Sequence, residues 1–322
     1  MEPLMFVPWR LATLAFFVIA IPVQAQHRDR KSHGDYSDGA DFTIDTTVAF
    51  GRSGSVDLQS FSGDIMVVAW DRDEVKIHAK SRSQIRFDSS PSRVSLAENP
   101  GDHDDDDRNE SGRDYGFEIS VPRSARLVTR SISGDIKVSD VADVEAHTVS
   151  GDLDAMNIAS HADLETISGD LSITNAAAGM RASTVSGNIQ ARKITGEVSA
   201  QSVSGDVVLQ DVTSAYVRSE TVSGELHFSG PVDQKGRYEF HSHSGDVDLD
   251  LTGGAGNATL DVETYSGDLD TGCAMTLQPG GRGDRMGKRG TLTMGNGGGA
   301  HFVLKTFSGD LHITGCRAHG DR

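Results

Sequence analysis

A short motif that carries both a hydroxyl and a carboxylate recurs along the chain. Ser-Gly followed by Asp, Asn or Glu occurs ten times. Rows of hydroxyls could bind a glycan, paired carboxylates could act as acid and base on a sugar, and a row of carboxylates could bind Ca²⁺. The motif residues are Ser62, Gly63, Asp64, Ser133, Gly134, Asp135, Ser150, Gly151, Asp152, Ser168, Gly169, Asp170, Ser186, Gly187, Asn188, Ser204, Gly205, Asp206, Ser223, Gly224, Glu225, Ser244, Gly245, Asp246, Ser266, Gly267, Asp268, Ser308, Gly309 and Asp310.

The spacing of the motif indicates which elements position it. From Gly134 to Gly224 the successive steps between motif glycines are 17, 18, 18, 18 and 19, and the next two steps are 21 and 22. A fixed short period is typical of stacked repeats, and a period of about 18 residues suits one coil of a β-solenoid rather than a helix pair or a propeller blade. The sequence therefore predicts an all-β solenoid with coils of about 18–22 residues.

The residues around each motif alternate between apolar and polar. Before Gly151, Val144 and Ala146 alternate with Glu145 and His147, and after it Leu153 lies between two aspartates. Such alternation is typical of half-buried strands. Counted from the glycine, the inward-facing apolar residues occupy odd positions before it and even positions after it. A strand cannot change the phase of this alternation without a bend. We therefore expect a turn at each motif, with glycine supplying unusual backbone angles and Asp accepting hydrogen bonds in its own turn.

Stacked coils would align equivalent side chains in ladders about 4.8 Å apart. The predicted hydroxyl ladders are Thr148, Thr166, Thr184, Ser202 and Thr221, and Ser150, Ser168, Ser186, Ser204 and Ser223. The predicted acidic ladder includes Asp135, Asp152, Asp170, Asn188, Asp206, Glu225 and Asp246. Neighbouring carboxylates repel unless donors or cations offset their charge, so Ca²⁺ is an alternative to backbone N–H groups. The Gly-Gly-x-Gly-x-Asp pattern of calcium-binding β-rolls is absent from the sequence, and we predict no metal site.

Two segments interrupt the repeat. Residues 100–114, "PGDHDDDDRNESGRD", have the composition of a solvated loop, with cation binding as the alternative. Residues 274–300 are Gly-rich and are predicted to be a long excursion from one coil. If so, Cys273 and Cys316, which each end a similar phrase, lie on successive coils within disulfide reach; two free thiols are the alternative. The Arg-Gly-Asp tripeptide at 282–284 is interpreted as a chance match.

The N-terminal residues have the pattern of a secretory signal. Arg10 precedes the apolar run "LATLAFFVIAI", and Pro22 and Ala25 follow it. We predict a signal peptide at 1–25, a polar linker at 26–40, one solenoid domain at 41–316 and a tail at 317–322, with an N-terminal membrane anchor as the alternative. No later stretch is apolar enough to span a bilayer. The net charge of −17 argues against a nucleic-acid partner.

Three segments and their order resemble a known family. They are "VVAWDRDEVKI" (67–77), "FEISVPRSARLVTRSISGDIKV" (117–138) and "GGGAHFVLKTFSGDLHI" (297–313), with the Ser-Gly-Asp repeats between them. Over residues 42–315 the chain resembles the bacterial "putative adhesin" family, a domain of unknown function. The resemblance implies a right-handed parallel β-helix, an envelope location and no established catalytic residues.

These features predict a non-enzymatic, exported repeat protein, periplasmic or at the cell surface, with an adhesin-like, scaffolding or envelope-stress role. It would bind an envelope glycan or protein through its Thr, Ser and Asp ladders, without a cofactor. The alternative is a carbohydrate-active β-helix enzyme, a lyase or hydrolase. The carboxylates repeat alike in the coils, whereas a catalytic pair should be exceptional in one coil. Ice or mineral binding by a flat hydroxyl array is a further alternative.

Overall fold

Alternating strands place the apolar side chains between two long sheets. The computed structural model describes residues 41–99, 115–252, 256–277 and 288–315, and these contain strands and no helix. One sheet has 13 strands, in the spatial order β1 (Phe42–Ala49), β4 (Glu74–Ser81), β7 (Gly116–Pro122), β3 (Asp64–Trp70), β9 (Ile136–Ser139), β11 (Leu153–Ile158), β13 (Leu171–Ala176), β15 (Ile189–Ile194), β17 (Val207–Gln210), β19 (Leu226–Gly230), β21 (Val247–Leu251), β27 (Leu311–Thr314) and β23 (Leu269–Thr271).

The second sheet has 14 strands and contains the residues before each motif. Its spatial order is β24 (Met275–Leu277), β25 (Lys288–Met294), β22 (Ala258–Ser266), β26 (Ala300–Ser308), β20 (Val232–Ser244), β18 (Ser214–Ser223), β16 (Glu197–Ser204), β14 (Gly179–Ser186), β12 (Ala162–Ser168), β10 (Asp143–Ser150), β8 (Arg126–Ser133), β2 (Ser55–Ser62), β6 (Arg93–Glu98) and β5 (Ile85–Ser90). The chain passes between the sheets at each motif, so the predicted turn and the all-β solenoid are confirmed.

The strand register aligns equivalent residues of neighbouring coils. Thr148 pairs with Thr166, and Ser150 with Ser168, in parallel strands. The same register continues through the next coils. The apolar core follows the predicted phase, because Val144, Ala146 and Leu153 are each at most 1% exposed. The hydrophobic interior is therefore one continuous stack of aliphatic and aromatic side chains between the sheets.

Both ends of the stack depart from a purely parallel helix. At one end β4 pairs antiparallel with β1 and β7, and β5 pairs antiparallel with β6. At the other end β25 pairs antiparallel with β22 and β24. Antiparallel pairing at the ends covers terminal coils that would otherwise present open edges. The fold is therefore mostly rather than wholly parallel, which corrects the expectation from the sequence.

The spatial order of the coils differs from their sequence order at both ends. The coil of β26 and β27 packs on that of β20 and β21, and the earlier β22 and β23 lie outside it. Likewise the coil of β2 and β3 lies between that of β8 and β9 and the later β6 and β7. The Gly-rich excursion thus begins with β24 and returns through β25 to an inner coil.

Several sequence predictions lie outside the described residues. They are the signal peptide at 1–25, the linker at 26–40, the acidic loop at 100–114, the centre of the Gly-rich excursion with the tripeptide at 282–284, Cys316 and the tail at 317–322. In the part of the chain that the structure describes, no helix has the length and apolarity needed to cross a membrane.

Candidate binding surface

The motif glycines bring the backbones of neighbouring coils very close together. A Cβ built on Gly187 would lie 2.0 Å from the carbonyl oxygen of Gly169, and one on Gly169 would lie 2.0 Å from that of Gly151. Gly187 also has a φ of +156°, which side chains disfavour. The glycine is therefore required both by its own backbone angles and by the coil beneath it.

The acidic side chain after each glycine links one coil to the next. The amide of Asp152 donates to Oδ1 of Asp135 at 2.9 Å, and the amide of Asp170 donates to Oδ1 of Asp152 at 2.8 Å. Equivalent bonds at 2.7–3.0 Å continue the series from Asp64 to Glu225, with Asn188 as one member, and a second run connects Asp246 through Asp310 to Asp268. The expectation that each Asp bonds within its own turn is wrong, because the donor belongs to the adjacent coil. Each bond offsets part of the repulsion within this aspartate ladder.

The two hydroxyl ladders face opposite ways. Thr148, Thr166, Thr184, Ser202 and Thr221 are 3–5% exposed and point into the solenoid. The hydroxyls of Thr166, Thr184, Ser202 and Thr221 donate to carbonyl oxygens of motif glycines. These residues cannot contact a ligand, so the predicted threonine part of the binding surface is wrong. The serine ladder, formed by the motif serines, is exposed at the corner of the coils.

The residue between Thr and Ser forms a feature that the sequence interpretation missed. It is apolar or aromatic in every motif, yet it points outward. We call this column the apolar ladder; in spatial order it contains Phe61, Ile132, Val149, Ile167, Val185, Val203, Val222, His243, Phe307 and Tyr265. Most members are 44–53% exposed. The signal was available in the sequence, as an apolar residue at the same place in each repeat.

A groove runs beside the apolar ladder in the C-terminal coils. Its volume is 970 Å³, and its walls include Val203, Val222 and Phe307 on one side and Glu220 and His241 on the other. The rings of Tyr265 and Phe307 are stacked with centroids 4.8 Å apart, and the His243 ring stacks on Phe307 at 4.9 Å. The groove is therefore bordered by stacked aromatic edges and by charged side chains.

The opposite wall belongs to a polar column that we call the flanking ladder. Its members, two residues before the apolar ladder, are Gln59, Arg130, His147, Glu165, Ser183, Gln201, Glu220, His241, Lys305 and Glu263. His147 Nδ1 lies 3.0 Å from Glu165 Oε2, and His241 Nδ1 lies 3.4 Å from Glu220 Oε1. Burial lowers the pKa of His241. Hence His241 favours the neutral form more than an exposed histidine does.

A third polar column carries two perturbed carboxyl groups. The guanidinium of Arg237, 2.5 Å from Glu239, lowers the pKa of that carboxyl. Burial, and then the charge of Glu165, raise the pKa of Asp163. Asp163 Oδ1 is buried without a hydrogen-bond partner. Glu239 is thus a stabilised anion and Asp163 a strained one, and both lie on the outward side of the same sheet.

Two further predictions concern metal ligands and the cysteines. Among the described residues, no cluster of three or more His, Cys, Asp and Glu could hold a metal ion. A shallow depression of 330 Å³ includes Asp135, Asp152, Asp154 and Asp170. Cys273 is buried and disulfide-bonded. Its predicted partner Cys316 lies outside the described residues, so that pairing stays a prediction.

Comparison with known families gives a match over more than half of the chain. The family described as Toastrack DUF4097 matches residues 109–314. The chain belongs to the Toastrack DUF4097 family. This match confirms the resemblance to a repeat family of unknown function that the sequence motifs indicated. It covers the central coils and most of the C-terminal ones, including the Gly-rich excursion.

Two solved structures are similar to this Toastrack chain. One is a "putative cell adhesion protein" from Clostridium sporogenes ATCC 15579, with 8% identity, a TM-score of 0.24, and coverage of 85% of this chain and 99% of that one. The other is a "putative adhesin" from Bacteroides fragilis NCTC 9343, with 10% identity, a TM-score of 0.36, and coverage of 85% and 98%. No curated protein matches the chain. At these TM-scores the two structures give no basis for transferring a function.

Proposed function

We propose that the chain is a non-enzymatic repeat protein that binds an envelope glycan or an envelope protein along its serine and aspartate ladders. One observation carries the proposal: the exposed motif serines pair in register from coil to coil, with the aspartate ladder beside them. This arrangement repeats the same hydroxyl and carboxylate at the strand spacing of about 4.8 Å. A surface of this kind suits a partner that itself repeats, such as a polysaccharide.

The proposed location is outside the cytoplasm, in the periplasm or at the cell surface. Two features support it: the signal peptide predicted at residues 1–25 and the sequence resemblance to an adhesin-like bacterial family. We further propose that the coils wind right-handedly with about 18–22 residues each. The threonine ladder has no part in binding, because its hydroxyls lie inside the solenoid.

The charge state of the aspartate ladder shapes what it can bind. Each linking Oδ1 accepts a backbone N–H, so the other carboxylate oxygen remains for a ligand. A carboxylate oxygen beside a serine hydroxyl can accept from one sugar hydroxyl while the serine donates to another. The carboxylates also disfavour polyanionic partners. We therefore propose a neutral or cationic glycan, or a protein surface rich in Lys and Arg.

Co-sedimentation of the full chain with isolated wall and membrane fractions tests this function. Saturable binding is expected, with at least a tenfold loss in the double variant Ser186→Lys/Ser204→Lys, which blocks the centre of the serine ladder. Thr174→Lys, an outward position on the other sheet farther from both ladders, is the matched control and should bind normally. Absence of saturable binding, or equal binding by the double variant, would contradict the proposal. Release of reducing sugars from the wall fraction would instead support the enzyme alternative.

A further inference from the structure

We propose that the apolar ladder is the interface of a dimer in which two copies of this chain pack antiparallel. This inference is independent of the envelope ligand, which would contact the serine and aspartate ladders at the corner. The first observation is the composition of the column. Its ten members include no Asp, Glu, Lys or Arg, in a chain that contains 47 acidic and 30 basic residues. An exposed apolar row of this length on so charged a protein is typical of an interaction surface.

The period of the ladder selects the kind of partner. Its side chains repeat at about 4.8 Å, the spacing of neighbouring strands. An extended peptide lying along it would present side chains to it at about 6.6 Å intervals, and a helix has a pitch of about 5.4 Å. Neither stays in step with the ladder over several coils. A second copy of the same solenoid has the same period, so its side chains can interdigitate along the whole contact.

Side-chain volume selects the relative position of the two copies. The ladder has β-branched residues toward one end and aromatic rings at the other. A two-fold axis between Val203 and Val222 places large side chains opposite smaller ones. The resulting pairs are Val149 with Tyr265, Ile167 with Phe307, Val185 with His243, and Val203 with Val222. Aromatic and β-branched side chains form favourable pairs across sheets.

The charges of the flanking ladder agree with the same axis. This two-fold axis places the flanking ladder of one copy against that of the other, so that oppositely charged or hydrogen-bonding residues face each other. These pairs are Glu165 with Lys305, His147 with Glu263, Ser183 with His241, and Gln201 with Glu220. Moving the axis by one coil, to lie between Val185 and Val203, would instead oppose Glu165 to Glu220 and Arg130 to Lys305. Like charges are unfavourable in such contacts, so the charges disfavour that register. Moving the axis one coil the other way opposes no like charges but leaves only six coils in contact instead of eight.

The expected area indicates a weak but specific dimer. Eight coils span about 34 Å, and a contact about 13 Å wide over both ladders would bury about 900 Å² in total, an area typical of weak or transient complexes. The groove beside the apolar ladder would receive side chains of the partner. We therefore expect a dissociation constant in the range of about 1–100 µM.

Sedimentation velocity of the full chain between 1 and 300 µM tests the dimer. The weight-average mass should rise from the monomer to near twice that value. Val203→Glu should remain monomeric, because it places two like charges beside the axis. Val208→Glu, in the same coil on the other sheet, is the control and should dimerise like the wild type. Thermal unfolding of both variants separates loss of the dimer from loss of the fold, and Val203→Thr should weaken the dimer severalfold while preserving side-chain shape.

Three outcomes would overturn this interface. The wild type could stay monomeric up to 300 µM. Folded Val203→Glu could dimerise as the wild type does. Val208→Glu could be the variant that dissociates, which would assign the contact to the other sheet. None of these results depends on whether the protein binds envelope fractions.

Discussion

At the scale of single residues, the motif is built for contact between coils rather than for chemistry. The glycine admits the carbonyl oxygen of the preceding coil, the acidic residue accepts an amide of the following one, and the threonine closes the interior. Only the side chains of the serine and of the apolar residue before it face outward and take no part in the contacts between coils. The parts of the repeat left for a partner are therefore the serine, the apolar residue and the carboxylate oxygen that does not link the coils.

Gly187→Ala should destabilise the protein by at least about 3 kcal/mol, because its Cβ would collide with the Gly169 carbonyl and the backbones must separate. Urea unfolding measures the change. Gly272→Ala is the matched control, since a Cβ there would have no atom nearer than 3.8 Å. It should change stability by less than about 1 kcal/mol. Equal effects of the two substitutions would contradict the close-contact explanation.

Asp163→Asn should stabilise the protein at pH 7, because burial and Glu165 raise the pKa of this carboxyl in the folded state. A carboxyl with a raised pKa loses stability as pH rises from its unfolded pKa of about 3.9 through its folded pKa. The gain from Asn should therefore be present at pH 7 and vanish below about pH 3.9. Thermal unfolding across pH 3–7 measures it.

The control for this substitution is Asp154→Asn, which makes the same charge change on the opposite sheet. It separates the local effect from general relief of the net charge of −17. A gain at pH 7 that is equal in both variants would show that Asp163 is not specially strained.

Sequence periodicity predicted one corner of the coil but not the other. The alternation around Gly151 identified the buried residues correctly, since burial follows directly from strand phase. The second corner lies six residues after the glycine, where Asp140, Asn157, Asn175 and Asp211 have φ of 55–64°. Asn and Asp tolerate this conformation, and their spacing was a readable signal. In one coil this position is Lys193, which has the same conformation with a φ of 56°, so the series of Asn and Asp is interrupted there.

At the scale of elements, strands at the ends of the stack complete their hydrogen bonds in a different way from strands in its centre. β6 pairs with β2 only as far as Ala97, opposite Gln59, and ends at Glu98. The Glu98 side chain then replaces the missing strand: Oε2 accepts from the Phe61 amide at 2.5 Å and from the Ser60 hydroxyl at 3.1 Å. A buried carboxylate thus caps the end of β2, and the side chain is 5% exposed.

Glu98→Ala should cost about 1–3 kcal/mol, because it leaves the partly buried Phe61 amide without this acceptor. Glu98→Gln keeps an acceptor oxygen and should cost less than half as much. Chemical denaturation measures both. A smaller loss for Ala than for Gln would contradict the capping role.

The order of the terminal coils could not be predicted from the sequence. The repeat in the sequence predicts that coils stack on one another. In the centre of the solenoid, chain connectivity makes the next coil in sequence the nearest one to pack on. After Gly267 the next motif glycine is Gly309, and a connection of that length allows the later coil to pack inside the earlier one. The choice depends on packing of whole coils, such as the stacking of Tyr238 on Phe302 at 4.6 Å, and no local pattern encodes it.

At the scale of the whole solenoid, all the proposed contacts depend on one continuous register. The serine, aspartate, apolar and flanking ladders are useful to a partner only if they stay aligned over many coils. Six consecutive pairings connect Ser133 to Ser244. At the strand spacing this register sets a backbone separation of about 29 Å between those two residues.

The most direct test is a dipolar electron-spin distance between nitroxide labels at Ser133 and Ser244 in the full chain. Both serines are exposed, so the labels should not disturb the coils. With the labelled chain diluted into excess unlabelled chain, so that a dimer adds no distances between copies, the predicted result is a single narrow distribution with a mean of about 29 Å, broadened by the label linkers. A mean below about 20 Å or above about 40 Å would mean that the coils do not stack in this register, and the ladders on which both proposals depend would not exist.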